Sequence, residues 1–280
     1  MKYAAIFVLY HPESELLAHI ASIFPEVDYL FLYKNSEIDP AIADKIVSHF
    51  SSKLILLGDG NNNGIARALN DGLAQAKKYA CDWLITMDQD SFMERSVITQ
   101  LKERAENKAG NCLVFSPDLL IGDRPAYGKD DQNYWIMTSC NFLRTSAADL
   151  IGPFIDDYFI DGVDIEFCLR LQHLGYHFQI EKDLYASHAL GSKIEGDFLG
   201  KKVLVTHYSP LRKYYISRNY LDIVFTRKAA VKPRIFILSI LLSRIVDSML
   251  YDTDKRESFT MIGLGIWHFL VGVKGKLSGY

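Results

Sequence analysis

A chain of 280 residues with 49% hydrophobic content can bury a sizeable core, which excludes a disordered chain and fits one large domain or one domain plus an extension. The four cysteines, Cys81, Cys112, Cys140 and Cys168, form no CxxC pair, which excludes zinc-finger spacing and a dense disulfide framework and points to reduced thiols. The formal charge of −3 conceals a split: residues 1–199 hold 17 Lys and Arg against 29 Asp and Glu, and residues 200–280 hold 14 against 5. That split marks a boundary near residue 200, and a body over 1–205 followed by a basic amphipathic helical extension over 206–280 is expected.

The N-terminus, MKYAAIFVLYHPE, has too short an apolar run and no small-residue cleavage site, so it reads as a first strand rather than a signal peptide, and a cytoplasmic location follows as an expectation. From there apolar β-rich runs alternate with helical patterns. AAIFVLY precedes a helix from Glu13, YLFLYKN a helix after Pro40, KLILLGD a helix from Gly64, and WLITMDQD a helix near Glu94. Four βα units in succession predict a doubly wound α/β fold with a mainly parallel, Rossmann-like sheet. A polar loop (IGDRPAYGKDDQN) follows, then a strand-like YWIMTSCNFLR, a helix from about Asp161 to Leu174, and a strand YHFQIEKD.

Chemistry concentrates at MDQD. The run Trp83 to Met87 reads as a strand buried on both faces, and parallel sheets bind ligands beyond the carboxyl ends of their strands. A side-chain period of two puts Asp88 and Asp90 on one side, where both can reach a hard cation that also holds substrate phosphates. An ordinary strand-end turn with solvated acids is the alternative. In DGNNNGIARALNDG, the glycines Gly58, Gly60 and Gly64 and the free N–H groups of the following helix suit a phosphate or a nucleotide edge. Asn61 to Asn63 equally fit a helix-capping turn.

The second acidic cluster, FIDDYFIDGVDIEFCLRL, sets Asp161 and Asp164 three apart at a helix start, an arrangement that fits caps. The apolar run after it, with Phe167, Leu169 and Leu171, holds the first turn firmly, so a carboxylate there is also a candidate general base. His188 closes a strand and is either a third metal ligand, a phosphate donor or a satisfied polar residue. Beyond residue 205, Arg212, Lys213, Arg218, Arg227, Lys228, Lys232 and Arg234 interleave with aromatics, and IFILSILLSRIVDSML is too short an apolar run to span a bilayer. That segment either lies on an anionic membrane surface or packs on the body. No nucleic-acid-binding signature accompanies the basic residues, so nucleic acid is not an expected partner.

Taken in order, the first strand, NNNG, DQD, DGVD and the histidine resemble the family-2 glycosyltransferases of the A-type fold. The closest likeness within the family is to bacterial rhamnosyltransferases, through NGIARALNDG (Asn63 to Gly72), MDQDS (Met87 to Ser91), FIDGVDIEFCLRL (Phe159 to Leu171), SHALGS, YYISRNY (Tyr214 to Tyr220) and VGVKGKLSG. The resemblance covers nearly the whole chain and makes 1–205 a nucleotide-sugar-binding catalytic domain. It implies that Tyr10, His11, Asn35, Asn63 and Arg67 bind the nucleotide sugar together with Asp88, that Asp90 and His188 hold a divalent metal, Mg or Mn, and that Asp164 is the catalytic base. It further implies inverting transfer of a sugar, best matched by L-rhamnose from dTDP-L-rhamnose, to a glycan or polyprenyl-linked acceptor of bacterial cell-surface polysaccharide, on the inner face of the plasma membrane. Two positions depart from the family pattern: an acidic pair reads Val163-Asp164, and the second-strand acidic motif reads Lys34-Asn35. Another sugar nucleotide, such as a UDP-sugar, is the alternative within the fold. A HAD-like phosphatase, whose DxD normally ends the first strand, is the alternative outside it.

Overall fold

The computed structural model describes residues 1–279 other than 108–109, 123, 128–132, 189–192, 199–200 and 207, with 193–198 and 201–205 described by their backbone alone. Parts of the IGDRPAYGKDDQN loop and of SHALGS therefore lie outside the described residues. The first half alternates β1 (Tyr3–Leu9), α1 (Leu16–Ile23), β2 (Tyr29–Lys34), α2 (Pro40–Phe50), β3 (Leu54–Leu57), α3 (Ile65–Lys78), β4 (Trp83–Asp88), the short β5 (Ser91–Phe92) and α4 (Arg95–Asn107). Then come β6 (Cys112–Ile121), β7 (Arg124–Pro125), β8 (Asn141–Arg144), α5 (Ala147–Ile151), α6 (Val163–His173), β9 (His177–His188) and the hairpin β10 (Lys193–Phe198) and β11 (Lys201–Thr206). Three helices close the chain: α7 (Pro210–Thr226), α8 (Val231–Tyr251) and α9 (Lys255–Val271).

The main sheet runs β3-β2-β1-β4-β8-β6-β9-β5. Its first four strands are parallel, as the fourfold βα alternation predicts. The chain winds outward from β1 to β3 and then returns to place β4 on the other side of β1. That reversal creates a crevice at the carboxyl ends of β1 and β4, the place where doubly wound sheets bind ligands. β8 is antiparallel to both β4 and β6, which makes the sheet mixed. The strand expected over YWIMTSCNFLR is realised only at Asn141–Arg144, because Cys140 takes φ 59° and turns the chain just before it.

Burial explains the sequence patterns. Tyr3 to Phe7 and Trp83 to Met87 are buried without alternation because helices cover both faces of the sheet. On α3, Ala66, Leu69, Leu73 and Ala76 face the core. Gly72 lets that helix approach β1, since a Cβ there would lie 2.5 Å from Ile6 Cδ1. Ile223 and Val224 of α7 and Ile237 of α8 belong to the same apolar core as the strands, so the C-terminal helices fold onto the body. Gly265 of α9 sits where a Cβ would meet the Tyr214 carbonyl oxygen, which binds α9 tightly to α7. Among the described residues, no helix is long and apolar enough to cross a membrane. All four cysteines are buried.

Candidate active site

The carboxyl ends of β1, β2 and β4 lie side by side, with Val8 in register with Asp88 and Leu9 with Lys34. This gathers the expected nucleotide-binding residues along one edge. The Gln89 side chain accepts from Tyr10 N and donates to Tyr10 O, at 2.7 and 2.9 Å, and so fixes the exposed Tyr10 beside the acidic turn. His11, at φ 50°, donates its N–H to Ser36 Oγ. The buried Asn35 accepts from Asn63 N at 2.8 Å and ties the end of β2 to the glycine-rich loop. That loop is braced from within, because the Asp59 carboxylate accepts from Asn61 and from the Asn63 side chain. The capping alternative is not realised: Gly64 is the N-cap of α3 with no side-chain cap bond, and Asn62 Oδ1 accepts from Gly64 N ahead of the helix. Gly64 is required there: it takes φ 83°, and a Cβ would lie 2.5 Å from the Phe159 carbonyl oxygen. The exposed guanidinium of Arg67 is engaged by Asp71 and Asp156.

Asp88, Asp90 and His188 converge, each offering a ligand atom within 4.8 Å of the others. Period-two spacing alone does not produce this cluster. β5, just after the DQD turn, pairs antiparallel with the end of β9 and so brings His188 alongside Ser91. Ser139 Oγ accepts from Asp88 N and donates to Ser91 Oγ, and Ser91 Oγ lies 2.6 Å from His188 Nδ1. The direction of that bond follows the imidazole tautomer, and only the tautomer in which Nδ1–H donates to Ser91 leaves Nε2 the lone pair of a metal ligand. Two carboxylates and an imidazole also form a donor set that suits a divalent ion. The residues present therefore fit the group that the motif implies. Burial pushes the Asp88 carboxyl upward, Asp90 adds to the shift, and His188 and Arg212 oppose it.

Asp164 stands in the first turn of α6, half-buried. Burial is the main cause that pushes its carboxyl up to about 6, and the charges of Asp161 and Asp88 act in the same direction. Its carboxylate accepts from the neighbouring Ile165 N at 2.9 Å. Asp161 does not cap the helix: its carboxylate binds Arg212 of α7 at 3.1 and 2.5 Å, and Gly162 is the N-cap. Val163, in place of the family's acidic neighbour, is buried. Rigidity comes from behind, where Phe154 stacks on Phe167 at 4.1 Å and Glu166 pairs with Arg170.

Sequence reasoning gave no role in the site to Gln89, Ser139, Ser91 or Asn219 and counted Arg212 only among the basic residues beyond 205. Each acts on a residue distant in sequence, so no local spacing marks it, although YYISRNY did single out the segment that contains Asn219.

Comparison with known proteins agrees with this geometry. Residues 15–160 match glycosyl transferase family 2. The chain is 24% identical over 273 residues to the dTDP-rhamnosyl transferase RfbF of Shigella flexneri, covering 90% of this chain and 89% of that protein. In fold it is similar to S. aureus TarS 1-349 in complex with UDP-GlcNAc, at TM-score 0.61 and 14% identity over 98% of this chain and 82% of that one. It is also similar to the mannosyltransferase PcManGT from Pyrobaculum calidifontis in complex with GDP-Man and Mn2+, at TM-score 0.60 and 13% identity over 99% and 76%. With more than half of its residues matched by the family and a relative aligned over 90% of its length, the chain belongs to glycosyl transferase family 2, with a rhamnosyltransferase-like sequence, and is a glycosyltransferase.

Proposed function

We propose that the protein transfers L-rhamnose from dTDP-L-rhamnose, with inversion, to a hydroxyl of a glycan or polyprenyl-linked acceptor in cell-surface polysaccharide synthesis. The observation that carries this reading is the half-buried Asp164, with its carboxyl pushed up to about 6, beside the Asp88, Asp90 and His188 set. The likeness to a dTDP-rhamnosyl transferase over 90% of the chain supports the choice of donor. Asp90 and His188, with Asp88 beside them, would hold a divalent ion. The fold neighbour PcManGT is in complex with Mn2+, which supports Mn as the ion to test first. Such an ion supplies positive charge for the leaving diphosphate.

The chain's own residues do the rest. Tyr10, His11, Asn35 and Asn63 line the edge where the nucleotide would lie, with Asp88 at its inner end and Arg67 on the rim. Asp164 takes the proton of the acceptor hydroxyl as that oxygen bonds to the anomeric carbon. The bond from that carbon to the diphosphate oxygen breaks, and its electron pair leaves with the nucleoside diphosphate. A base poised near neutral pH is ionised when it must accept and protonated once it has done so. Residues 1–205 would carry this chemistry, with 206–280 folded onto it.

For the membrane, the support is an apolar stripe on the outer face of α8. Val231, Ile235, Leu238, Leu242, Val246 and Met249 recur at helical spacing and are all exposed. Exposed Lys228 and Lys232 sit at its N-terminal end, where they suit anionic lipid headgroups. This stripe would bring the enzyme to a lipid-linked acceptor on the inner leaflet. A thermal-shift panel of dTDP-rhamnose, UDP-GlcNAc and GDP-mannose, each with Mn or Mg, tests the donor assignment. The largest shift is expected with dTDP-rhamnose and Mn, and a shift confined to another sugar nucleotide would overturn it.

A further inference from the structure

The segment that leads into the base is held in an uncommon backbone. Phe159 takes φ 62° and ψ −65°, and the Ile160 N–H donates to Tyr158 O at 2.7 Å, which together make a γ-turn of the strained, positive-φ kind. Asp161 follows at φ 61° and Gly162 at φ 85°. Phe159 and Asp161 are thus in a region that L side chains rarely adopt, and such conformations persist only where surrounding structure over-determines them, whereas Gly162 adopts it freely.

One face of α7 supplies that structure. Asn219 Nδ2 lies 2.9, 2.9 and 2.8 Å from the carbonyl oxygens of Tyr158, Ile160 and Asp161, so its two hydrogens are shared among three acceptors of the turn. Its Oδ1 accepts from Arg218 Nε, and Arg218 Nη2 donates to Asp157 O. Arg212 holds the Asp161 carboxylate, and Tyr215 stacks on Phe159 at 5.1 Å. Asn219 and Arg218 are both almost wholly buried. The turn in turn touches the donor side, because Phe159 O accepts from Ile65 N at the start of α3.

We propose that Asn219 is a positioning residue for the base: by collecting the carbonyls of Tyr158, Ile160 and Asp161 it fixes the turn that aims Asp164 at the acceptor. The inference rests on Asp164 being the base. It explains why a helix from the basic C-terminal section carries an asparagine with three backbone acceptors directly ahead of α6. A displacement of about 1 Å in a catalytic group costs on the order of 10²-fold in rate, so a small relaxation of the turn is sufficient to be seen.

The test uses the full chain with Asn219→Ser, which removes the amide and keeps a small polar group. Ile237→Ala serves as a control for lost stability, since Ile237 is buried in the main apolar core on α8. Release of dTDP from dTDP-L-rhamnose with alkyl glycoside acceptors is expected to lose at least about 10-fold in kcat in Asn219→Ser, with donor Kd changed less than about 3-fold. Ile237→Ala is expected to lower Tm and keep its kcat. In the Asp164→Asn background, Asn219→Ser should add little, because a residue that acts through the base has nothing left to position. Hydrogen exchange over residues 156–165 should quicken in Asn219→Ser and stay protected in Ile237→Ala, a readout independent of turnover. Unchanged exchange of that segment in Asn219→Ser overturns the proposal, as does a kcat loss of equal size in the presence and absence of the Asp164 carboxylate. Full activity of Asp164→Asn by itself would instead count against the assignment of the base.

Discussion

Helices α7 and α8 come from the same basic stretch of sequence and turn opposite faces to their surroundings. On α7 the polar residues point inward: Arg212 grips Asp161, the buried Lys213 meets Asp252, and Arg218 and Asn219 hold backbone carbonyls of the turn before the base. On α8 apolar residues point outward, with Val231 70%, Ile235 62% and Leu242 62% exposed. At the junction, Arg227 pairs with Asp222, and Arg234 donates to the Arg227 carbonyl. Much of the C-terminal positive charge is thus spent inside the protein. A cationic, aromatic composition does not by itself announce a membrane surface; here the cations build the site, and the apolar stripe faces outward.

If the acidic edge and α7 form one machine while α8 serves only the exterior, variants should separate the two. Asp90→Ala, which removes a carboxylate from the Asp88, Asp90 and His188 set, should abolish Mn-dependent donor binding in a thermal-shift assay and lower turnover by about 10³-fold, the several kcal/mol a metal contributes. It should leave vesicle binding untouched, and normal turnover would break the metal assignment.

On the exterior side, Ile235→Ser, Leu242→Ser and Met249→Ser together should weaken co-sedimentation with anionic vesicles by about 10²-fold or more, at roughly 1 kcal/mol or more of apolar burial per site. Lys228→Gln with Lys232→Gln should act more weakly and only at low salt, about 1 kcal/mol per charge. Neither set should alter turnover on a soluble acceptor. Equal vesicle binding by the triple variant and the parent would remove the stripe from the account.

The smallest effect is on stability. Asp164 has a folded-state carboxyl pushed up to about 6 from 3.8, so ionisation destabilises the fold, a cost absent below the unfolded value and complete above about 6. Asp164→Asn should therefore unfold about 1–3 kcal/mol later in denaturant at pH 8, with the gain fading towards pH 4. A variant less stable than the parent at pH 8 would show Asp164 to be a structural cap instead.

Local patterns made much of this legible. The four βα units and the buried run ending at Asp88 follow from short-range periodicity, and the sheet places them as expected. YWIMTSC misled because apolar content suggested a strand where the turn at Ser139 and Cys140 was needed, and Ser139 Oγ is what carries the bond to Asp88 N. His188 was legible as a candidate, yet its place depends on the β5–β9 pairing, 97 residues from Ser91 in sequence. Arg212 and Asn219 were hidden for the same reason, since their partners at 158–161 lie more than 50 residues away.

The most direct test of the account is the pH dependence of kcat/KM for Asp164→Asn beside the parent, with donor affinity measured on the same samples. The parent should gain activity as pH rises through about 6, as the Asp164 carboxyl ionises and becomes able to accept a proton. The variant should bind dTDP-rhamnose with Kd within about 3-fold of the parent, lose at least about 10² in turnover, and lose that acid limb. A variant that keeps the limb and the rate, or that loses donor affinity while turning over bound donor normally, would contradict the assignment of Asp164 as the base.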